Sequence, residues 1–188
     1  KVKAHQQIMV PQISSIAELN HIKKIYDIIK KETETKYKMK LKINFGTMIE
    51  VVRAALTADE LAKTAEFFSF GTNDLTQGTF SFSREDVEGK FLSEYIEKEL
   101  LERNPFQSID VTGVGSLIRI GIAAGRGVRP NMEIGICGEH GGDPSSIKFC
   151  HGEGLSYVSA SPHRIPIAIV AAAQAAIEQP KKVKKSIK

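Results

Sequence analysis

The chain has 188 residues, a length sufficient for one domain with a substantial buried core. Hydrophobic residues make up 41% and charged residues 26%, which is typical of a globular protein and excludes a disordered or disulfide-stapled class. The net charge of +4 arises from five lysines in the last eight residues; the rest sums to −1 and offers no basic stripe for nucleic acid.

The sequence predicts a cytoplasmic protein without membrane contact. No apolar run is long enough to span a bilayer, and the first residues lack the hydrophobic stretch of a signal peptide. The two cysteines, Cys137 and Cys150, are therefore expected to be free thiols. We expect one domain over residues 1–179, followed by a solvated lysine-rich tail, 180–188.

The first forty residues predict one strand followed by one helix. A short β-type run, 8–11, precedes Ser15 and Glu18, which have the spacing of a capping box at a helix start. Apolar residues then recur at helical spacing as far as Ile29. The lysine- and threonine-rich residues 30–40 are expected to form a polar connector.

Two further strands follow. Residues 41–51 predict the second strand, and Thr57 with Glu60 predicts another capping box ahead of a helix. The third strand, 67–70, is expected to end in a glycine-bearing loop. Beyond it, residues 78–131 exceed what a βα connection needs, so we expect an insertion with helices of its own, at 91–103 and 115–124.

The last part of the chain predicts two more βα units. The fourth strand, 132–137, leads through a second glycine-bearing loop to Asp143, a predicted N-cap followed by proline, and to a helix over 146–151. The fifth strand, 155–159, precedes an alanine-rich helix, 165–178. Strands that alternate with helices imply right-handed crossovers and a parallel sheet, so the predicted fold class is α/β.

Polar side chains follow three neighbouring strands, where parallel α/β folds place their reactive groups. Glu50 ends the second strand, Asn73 and Asp74 follow the third, and Cys137 ends the fourth. Carboxylates from adjacent strands are hard oxygen ligands suited to Mg²⁺, which takes one or two of them together with substrate oxygens and water. The pattern therefore predicts a metal held against an anionic substrate.

Structural roles remain open for the same residues. Asp74 fits a helix N-cap, Glu50 fits an ion pair with Arg53, and Cys137 fits a small buried side chain. A zinc site built from the two cysteines with His140 and His151 is disfavoured, because Cys150 and His151 are adjacent and no CxxC pair is present. No GxxxxGK[ST] or strand-GxGxxG motif supports nucleotide binding.

Eight strings in the chain resemble the C-terminal part of the pyruvate, phosphate dikinase family, over about residues 8–176. They are GTMIE, RAALTADELA, AEFFSFGTNDLTQ, FSFSRED, GKFL, DVTGVGSLI, GICGEHGGDPSSIKFCH and YVSASPHRIPIA. GTNDLTQ is shared by the wider group of phosphoenolpyruvate-utilising enzymes, which includes phosphoenolpyruvate synthase. GICGEHGGDPSS is the discriminating string, since the sister enzymes differ after the Cys-Gly pair.

The resemblance implies the C-terminal part of a (β/α)₈ barrel that binds phosphoenolpyruvate and pyruvate at its C-terminal face. The full family enzyme converts ATP, phosphate and pyruvate to AMP, pyrophosphate and phosphoenolpyruvate, through a phosphohistidine on a separate swivelling domain, and its barrel forms homodimer contacts. The motif match implies Mg²⁺ ligands at Glu50 and Asp74, a substrate-lining segment of Gly71, Thr72, Asn73 and Asp74, and a proton-transferring thiol at Cys137.

These implied roles agree with the chemistry, since pyruvate must lose a methyl proton before its enolate oxygen accepts phosphate. The family's substrate-binding arginines belong to earlier barrel strands and have no match here. Val52, Gly78, Ala160 and His163 depart from the family pattern without removing a site residue, although Val52 and Gly78 bear on loop geometry. His140 fits either a residue that orients Cys137 or Glu139, or a donor that stabilises the turn.

Two alternative functions stay open. A phosphoenolpyruvate synthase-like enzyme would use water in place of phosphate, so a phosphate requirement distinguishes it. A non-catalytic dimerisation module would use the insertion and the alanine-rich last helix as a surface, and it would dimerise without binding ligand.

Overall fold

The computed structural model describes residues 4–179, which are built on one five-stranded parallel sheet. The strands lie side by side in chain order, so each pairs with the next along the sequence. They are β1 Gln6–Val10, β2 Ile43–Ile49, β3 Phe67–Gly71, β4 Glu133–Cys137 and β5 Tyr157–Val158. Parallel strands joined by helices confirm the predicted α/β class with five βα units.

Nine α-helices lie between or after these strands within residues 4–179. They are α1 Ile16–Tyr37, α2 Val52–Leu56, α3 Ala58–Ala62, α4 Thr72–Phe80, α5 Arg84–Glu88, α6 Leu92–Glu97, α7 Val114–Val128, α8 Pro144–Gly152 and α9 Ile165–Glu178. A short 3₁₀ turn, Glu139–Gly142, joins β4 to α8, and a second, Pro162–Arg164, precedes α9.

Helix α1 begins at the predicted capping box. The Ser15 hydroxyl accepts the Glu18 N–H at 3.3 Å, and the Glu18 carboxylate accepts the Ser15 N–H at 3.0 Å. The polar connector predicted over residues 30–40 is wrong, because the helix continues to Tyr37 and ends where Lys38 turns left-handed (φ 50°). Lysine and glutamate are good helix formers, so a solvated last stretch needs no apolar face.

The second predicted capping box is also wrong. The Thr57 hydroxyl donates to the Arg53 carbonyl at 2.9 Å instead of accepting from the next helix, and helix α2 already begins at Val52. The central strand β3 is buried along its whole length, which explains its unbroken apolar sequence. Its Phe68 and Phe70 lie in the main core between the sheet and the helices.

The insertion has a small core of its own. Val87, Leu92 and Phe106 are buried together and do not belong to the main core cluster. Its helix α6 is shorter than the predicted 91–103, whereas α7 is longer than the predicted 115–124. The expected loop after β3 is instead helix α4, which starts immediately at Thr72.

Helix α8 begins as predicted, with the Asp143 carboxylate accepting the Ser146 N–H at 2.8 Å and Pro144 in the first turn. The fifth strand is shorter than predicted, because only Tyr157 and Val158 pair with β4. Helix α9 packs on α8 through its buried alanines.

Isoleucine side chains remain exposed on the first and last helices, at Ile25, Ile28 and Ile29 of α1 and at Ile169 and Ile177 of α9. Within residues 4–179, no helix combines the length and the apolar character needed to cross a membrane. The lysine-rich tail predicted over 180–188 lies outside the described residues.

Candidate active site at the carboxyl ends of the strands

The carboxyl ends of β2, β3 and β4 bring together all of the site residues predicted from the sequence. Glu50 directly follows β2, Gly71 ends β3, and Cys137 ends β4. Gly71 and Cys137 are direct partners in the sheet register, so the β3 and β4 ends lie level. Asp74 lies in the first turn of α4, and the whole set therefore converges on one edge of the sheet.

Glu50 is held by the backbone rather than by a cation. Its side chain is buried, and its Oε1 accepts the Gln12 main-chain N–H at 2.7 Å. The ion pair with Arg53 that the sequence left open does not form, because the Arg53 guanidinium donates to the Ser14 carbonyl. Gln12 has a positive φ of 56°, and its Nε2 lies 3.5 Å from an Asp74 carboxylate oxygen.

The neighbouring Asp74 carboxylate makes ionisation of Glu50 less favourable. Burial raises the pKa of Glu50, the Gln12 N–H opposes this, and the neighbouring Asp74 carboxylate adds to the increase. Neither group takes part in a salt bridge within residues 4–179. Two adjacent acidic oxygens without a countercharge are a donor set that fits a hard divalent cation.

The donor set is small, which matters for the type of metal. Among the described residues no group of three or more His, Cys, Asp or Glu side chains is arranged to hold an ion. A cation at Glu50 and Asp74 would therefore need most of its ligands from water or substrate, as Mg²⁺ commonly has.

Gly71 is required by contact with Glu50. A Cβ atom at Gly71 would lie 2.4 Å from Glu50 Oε2 and 2.7 Å from Met48 Sδ. The φ of Gly71 is −81°, which other residues adopt readily, so the restriction is steric and comes from the carboxylate. Because Gly71 has no side chain, the Glu50 carboxylate can lie against the end of β3.

The first residues of α4 are bonded to the loop that follows β4. The Thr72 hydroxyl lies 3.0 Å from the Cys137 carbonyl oxygen, and the Asn73 amide oxygen accepts the Glu139 N–H at 3.2 Å. Between these contacts Gly138 has φ 114°, a conformation that a glycine adopts without strain. The substrate-lining segment predicted from the sequence is therefore rigidly joined to the cysteine loop.

Cys137 is a half-buried thiol that lies between a hydroxyl group and a thioether. The Ser69 hydroxyl donates to its Sγ at 3.4 Å, and Met48 Sδ lies 3.9 Å away. Burial raises the pKa of the Cys137 thiol, the Ser69 hydrogen bond lowers it, and the charges of Glu50 and Asp74 raise it again. The group is thus protonated at neutral pH and can act as a proton donor.

His140 does not touch the Cys137 or Glu139 side chain, the roles left open by the sequence. It is fully buried, with Nδ1 2.7 Å from the Thr72 hydroxyl and Nε2 2.8 Å from the Pro105 carbonyl oxygen. His151 faces elsewhere, with Nε2 2.9 Å from the Gln179 carbonyl oxygen, and Cys150 lies in the main core. These residues therefore have structural partners rather than a shared ion.

Sequence reasoning missed three contributors to the site. Gln12 acts through its main-chain N–H, and Met48 and Ser69 lie within strands whose residues read as core. The sheet register pairs Met48 with Ser69, which puts both beside Cys137. Only the order of the strands reveals this contact.

The fold and the site define a class of protein. The sequence profile of the family described as "PEP-utilising enzyme, PEP-binding domain" matches residues 1–177, and the chain belongs to that family. Curated relatives named pyruvate, phosphate dikinase are 53% identical over 181 residues in Entamoeba histolytica and 52% identical over 171 residues in Clostridium symbiosum. The resemblance predicted from the sequence is confirmed.

The match covers nearly all of this chain but only a part of each relative. It spans 96% of the chain and 20% of the Entamoeba histolytica protein, and 91% of the chain and 20% of the Clostridium symbiosum protein. A citrate lyase from Burkholderia xenovorans has a similar fold, with a TM-score of 0.58 at 15% identity over 88% of this chain and 48% of that one. These likenesses agree with the predicted partial (β/α)₈ barrel.

Proposed function

We propose that this chain is the phosphoenolpyruvate- and pyruvate-binding catalytic region of a pyruvate, phosphate dikinase. The full reaction would interconvert ATP, phosphate and pyruvate with AMP, pyrophosphate and phosphoenolpyruvate. The observation that carries the proposal is the convergence of two uncompensated carboxylates and a protonated thiol on one strand-end surface, in a chain that is half identical to proteins of that name.

Glu50 and Asp74 are proposed to hold Mg²⁺ together with substrate oxygens. A bound Mg²⁺ would stabilise the negative charge of the enolate oxygen of pyruvate. The Gln12 N–H keeps Glu50 Oε1 fixed, and Oε2 lies beside Gly71 at the end of β3.

Cys137 is proposed to move one proton at the methyl carbon of pyruvate. When phosphoenolpyruvate gives up its phosphoryl group, the remaining enolate takes the thiol proton on carbon, which leaves pyruvate and a thiolate. In the opposite direction the thiolate removes a methyl proton, and the enolate oxygen then accepts the phosphoryl group from the phosphohistidine, which releases the neutral histidine. No bond between sulfur and carbon is needed. The raised pKa of Cys137 suits the proton-donating step.

Gly71, Thr72 and Asn73 are proposed to line the substrate. The Asn73 amide oxygen is engaged by the Glu139 N–H, so the amide nitrogen is the end left to donate to a substrate oxygen. The phosphoryl group would travel on a histidine of a separate swivelling domain. We also propose a cytoplasmic homodimer that contacts neither nucleic acid nor membrane.

The test uses a chimaera, in which this chain replaces the matching C-terminal region of the Entamoeba histolytica dikinase. Pyruvate methyl protons should exchange with deuterated water in the presence of Mg²⁺. Cys137→Ala should lower that exchange by about 100-fold or more, the range expected for loss of a general acid–base group, and leave AMP formation from ATP nearly intact.

Cys150→Ala is the matched control, because it makes the same change at a thiol buried in the main core. It should leave the exchange rate within about threefold of the parent, a difference below 1 kcal/mol in barrier. Equal loss of exchange and of AMP formation in Cys137→Ala would contradict the assigned role. Turnover without phosphate would favour the synthase-like alternative.

A further inference from the structure

His140 is a fully buried polar side chain that the proposed chemistry does not use. It belongs to the 3₁₀ turn after β4 and lies between α4 and the insertion. Its ring bridges two distant segments, with Nδ1 2.7 Å from the Thr72 hydroxyl oxygen and Nε2 2.8 Å from the Pro105 carbonyl oxygen. A buried histidine whose two ring nitrogens both have hydrogen-bond partners restricts the movement of the segments that carry those partners.

One of those partners leads directly to the catalytic cysteine. The Thr72 hydroxyl oxygen lies 3.0 Å from the Cys137 carbonyl oxygen, so the contacts run from Pro105 through His140 and Thr72 to the Cys137 main chain. The Thr72 main chain is held as well, because its carbonyl accepts the Thr76 hydroxyl at 2.7 Å. The position of the Thr72 hydroxyl is thus set by α4, and its direction is set by His140.

Counting protons along these contacts decides the tautomer. The Pro105 carbonyl can only accept, so Nε2 must carry a proton. Burial lowers the pKa of His140, more than the Pro105 carbonyl and nearby carboxylates raise it, which favours the neutral ring. Nδ1 is then an acceptor, and the single Thr72 hydroxyl proton has two acceptors, Nδ1 and the Cys137 carbonyl.

We propose that His140 is a positioning residue, which accepts the Thr72 hydroxyl proton at Nδ1 and thereby ties its own turn, the one that follows Cys137, to the substrate-lining segment. It does not touch the reacting atoms. The inference rests on the proposed function only for its activity readout, because the hydrogen bond itself can be observed separately.

Three variants of the chimaera separate the two ends of the ring. Asparagine places a polar atom near the site of Nδ1, so His140→Asn retains a partner for Thr72. Glutamine reaches toward the site of Nε2, so His140→Gln retains a donor for Pro105 and loses the Thr72 contact. Thr72→Val removes the hydroxyl and keeps the side-chain shape.

We expect His140→Gln to lower kcat for pyruvate proton exchange about tenfold, the loss of one buried hydrogen bond, with KM for pyruvate within about threefold. His140→Asn should stay within about threefold of the parent in both. In the Thr72→Val background, His140→Gln should cause no further loss, because the shared contact is already gone. AMP formation from ATP monitors folding of the remainder.

Three kinetic results would overturn the proposal. The first is a parent-like kcat in His140→Gln with a reduced kcat in His140→Asn, and the second is an equal reduction in both variants. The third is a double variant, His140→Gln with Thr72→Val, whose reduction is the product of the two single reductions. Nitrogen-15 NMR of histidine-labelled chimaera gives an independent readout. We expect a proton on Nε2 and a shift of the Nδ1 resonance in Thr72→Val. A proton on Nδ1, or an unchanged resonance, refutes the inference. A parent chimaera without exchange refutes the proposed function, while these spectra still decide the role of His140.

Discussion

Replacing Gly71 by alanine tests whether the strand end is built around the Glu50 carboxylate. The added Cβ would lie 2.4 Å from Glu50 Oε2 and 2.7 Å from both Glu50 Cβ and Met48 Sδ. Non-bonded heavy atoms prefer separations of about 3.5 Å, so the carboxylate oxygen must move by about 1 Å. A displacement of that size at a reacting centre can lower the rate by about 100-fold.

The assay follows Mg²⁺- and pyruvate-dependent proton exchange in the chimaera, together with urea unfolding. We expect Gly71→Ala to lower kcat/KM by about 100-fold and to raise the Mg²⁺ concentration needed for half-maximal rate. Overpacking should also reduce the free energy of unfolding by about 1–3 kcal/mol. The loss of activity should exceed what that loss of stability explains, because the fold remains populated.

Gly127→Ala is the matched control. Gly127 lies near the end of α7, where a Cβ would meet nothing within 4 Å. Alanine there should leave exchange unchanged and raise stability by about 0.5–1 kcal/mol, since it is the better helix former. Parent-like exchange and Mg²⁺ dependence in Gly71→Ala would show that Glu50 does not need its present position, and the reasoning about the site would be refuted.

Further expectations concern a helix cap, the two thiols and a tight strand contact. Asp143→Ala should cost about 1–2 kcal/mol in urea unfolding and Asp143→Asn much less, because asparagine still caps. Burial would raise the Asp143 pKa, but hydrogen bonds from neighbouring serines lower it overall. The contribution of Asp143 to the free energy of unfolding is therefore complete at neutral pH and disappears as the pH falls below about 3.8. Mass spectrometry of iodoacetamide adducts should find Cys137 alkylated slowly at pH 8 and faster above pH 9. Burial raises the Cys150 pKa to about 12, so Cys150 should stay unmodified until the chain unfolds. Alkylation of Cys150 in the folded chain would contradict this. Gly46→Ala should destabilise the chain by about 1–3 kcal/mol or more in the same urea assay, because its Cβ would lie 2.5 Å from the Phe67 carbonyl, a backbone atom that cannot easily yield; unchanged stability would show that the two strands can separate.

Hydrophobic runs predict the strands well, because a buried parallel strand has apolar residues on both faces. The start of α4 is different. Thr72, Asn73 and Asp74 are residues typical of turns, and their helix forms because hydrogen bonds to the loop after β4 replace the local preference. The continuation of α1 beyond Ile29 is not predicted for a related reason, since a solvated helix end shows no apolar period.

The site residues also fall into those that the sequence identifies and those that it does not. Glu50, Asp74 and Cys137 are recognisable, because ionisable groups at strand ends are rare enough to carry information. The role of Gln12 depends on its main-chain N–H, and His140 lies 35 residues from one of its partners, Pro105, and 68 residues from the other, Thr72. Such contacts follow from the packing of whole elements and leave no local pattern in the chain.

The separate core of the insertion has a consequence for cooperativity. Because Val87, Leu92 and Phe106 pack with one another outside the main cluster, we expect the first half of the insertion, residues 82–106, to open and close as a unit while α7 and the sheet stay packed. Amide hydrogen exchange should then resolve two levels of protection within one chain, the lower one ending near Pro105.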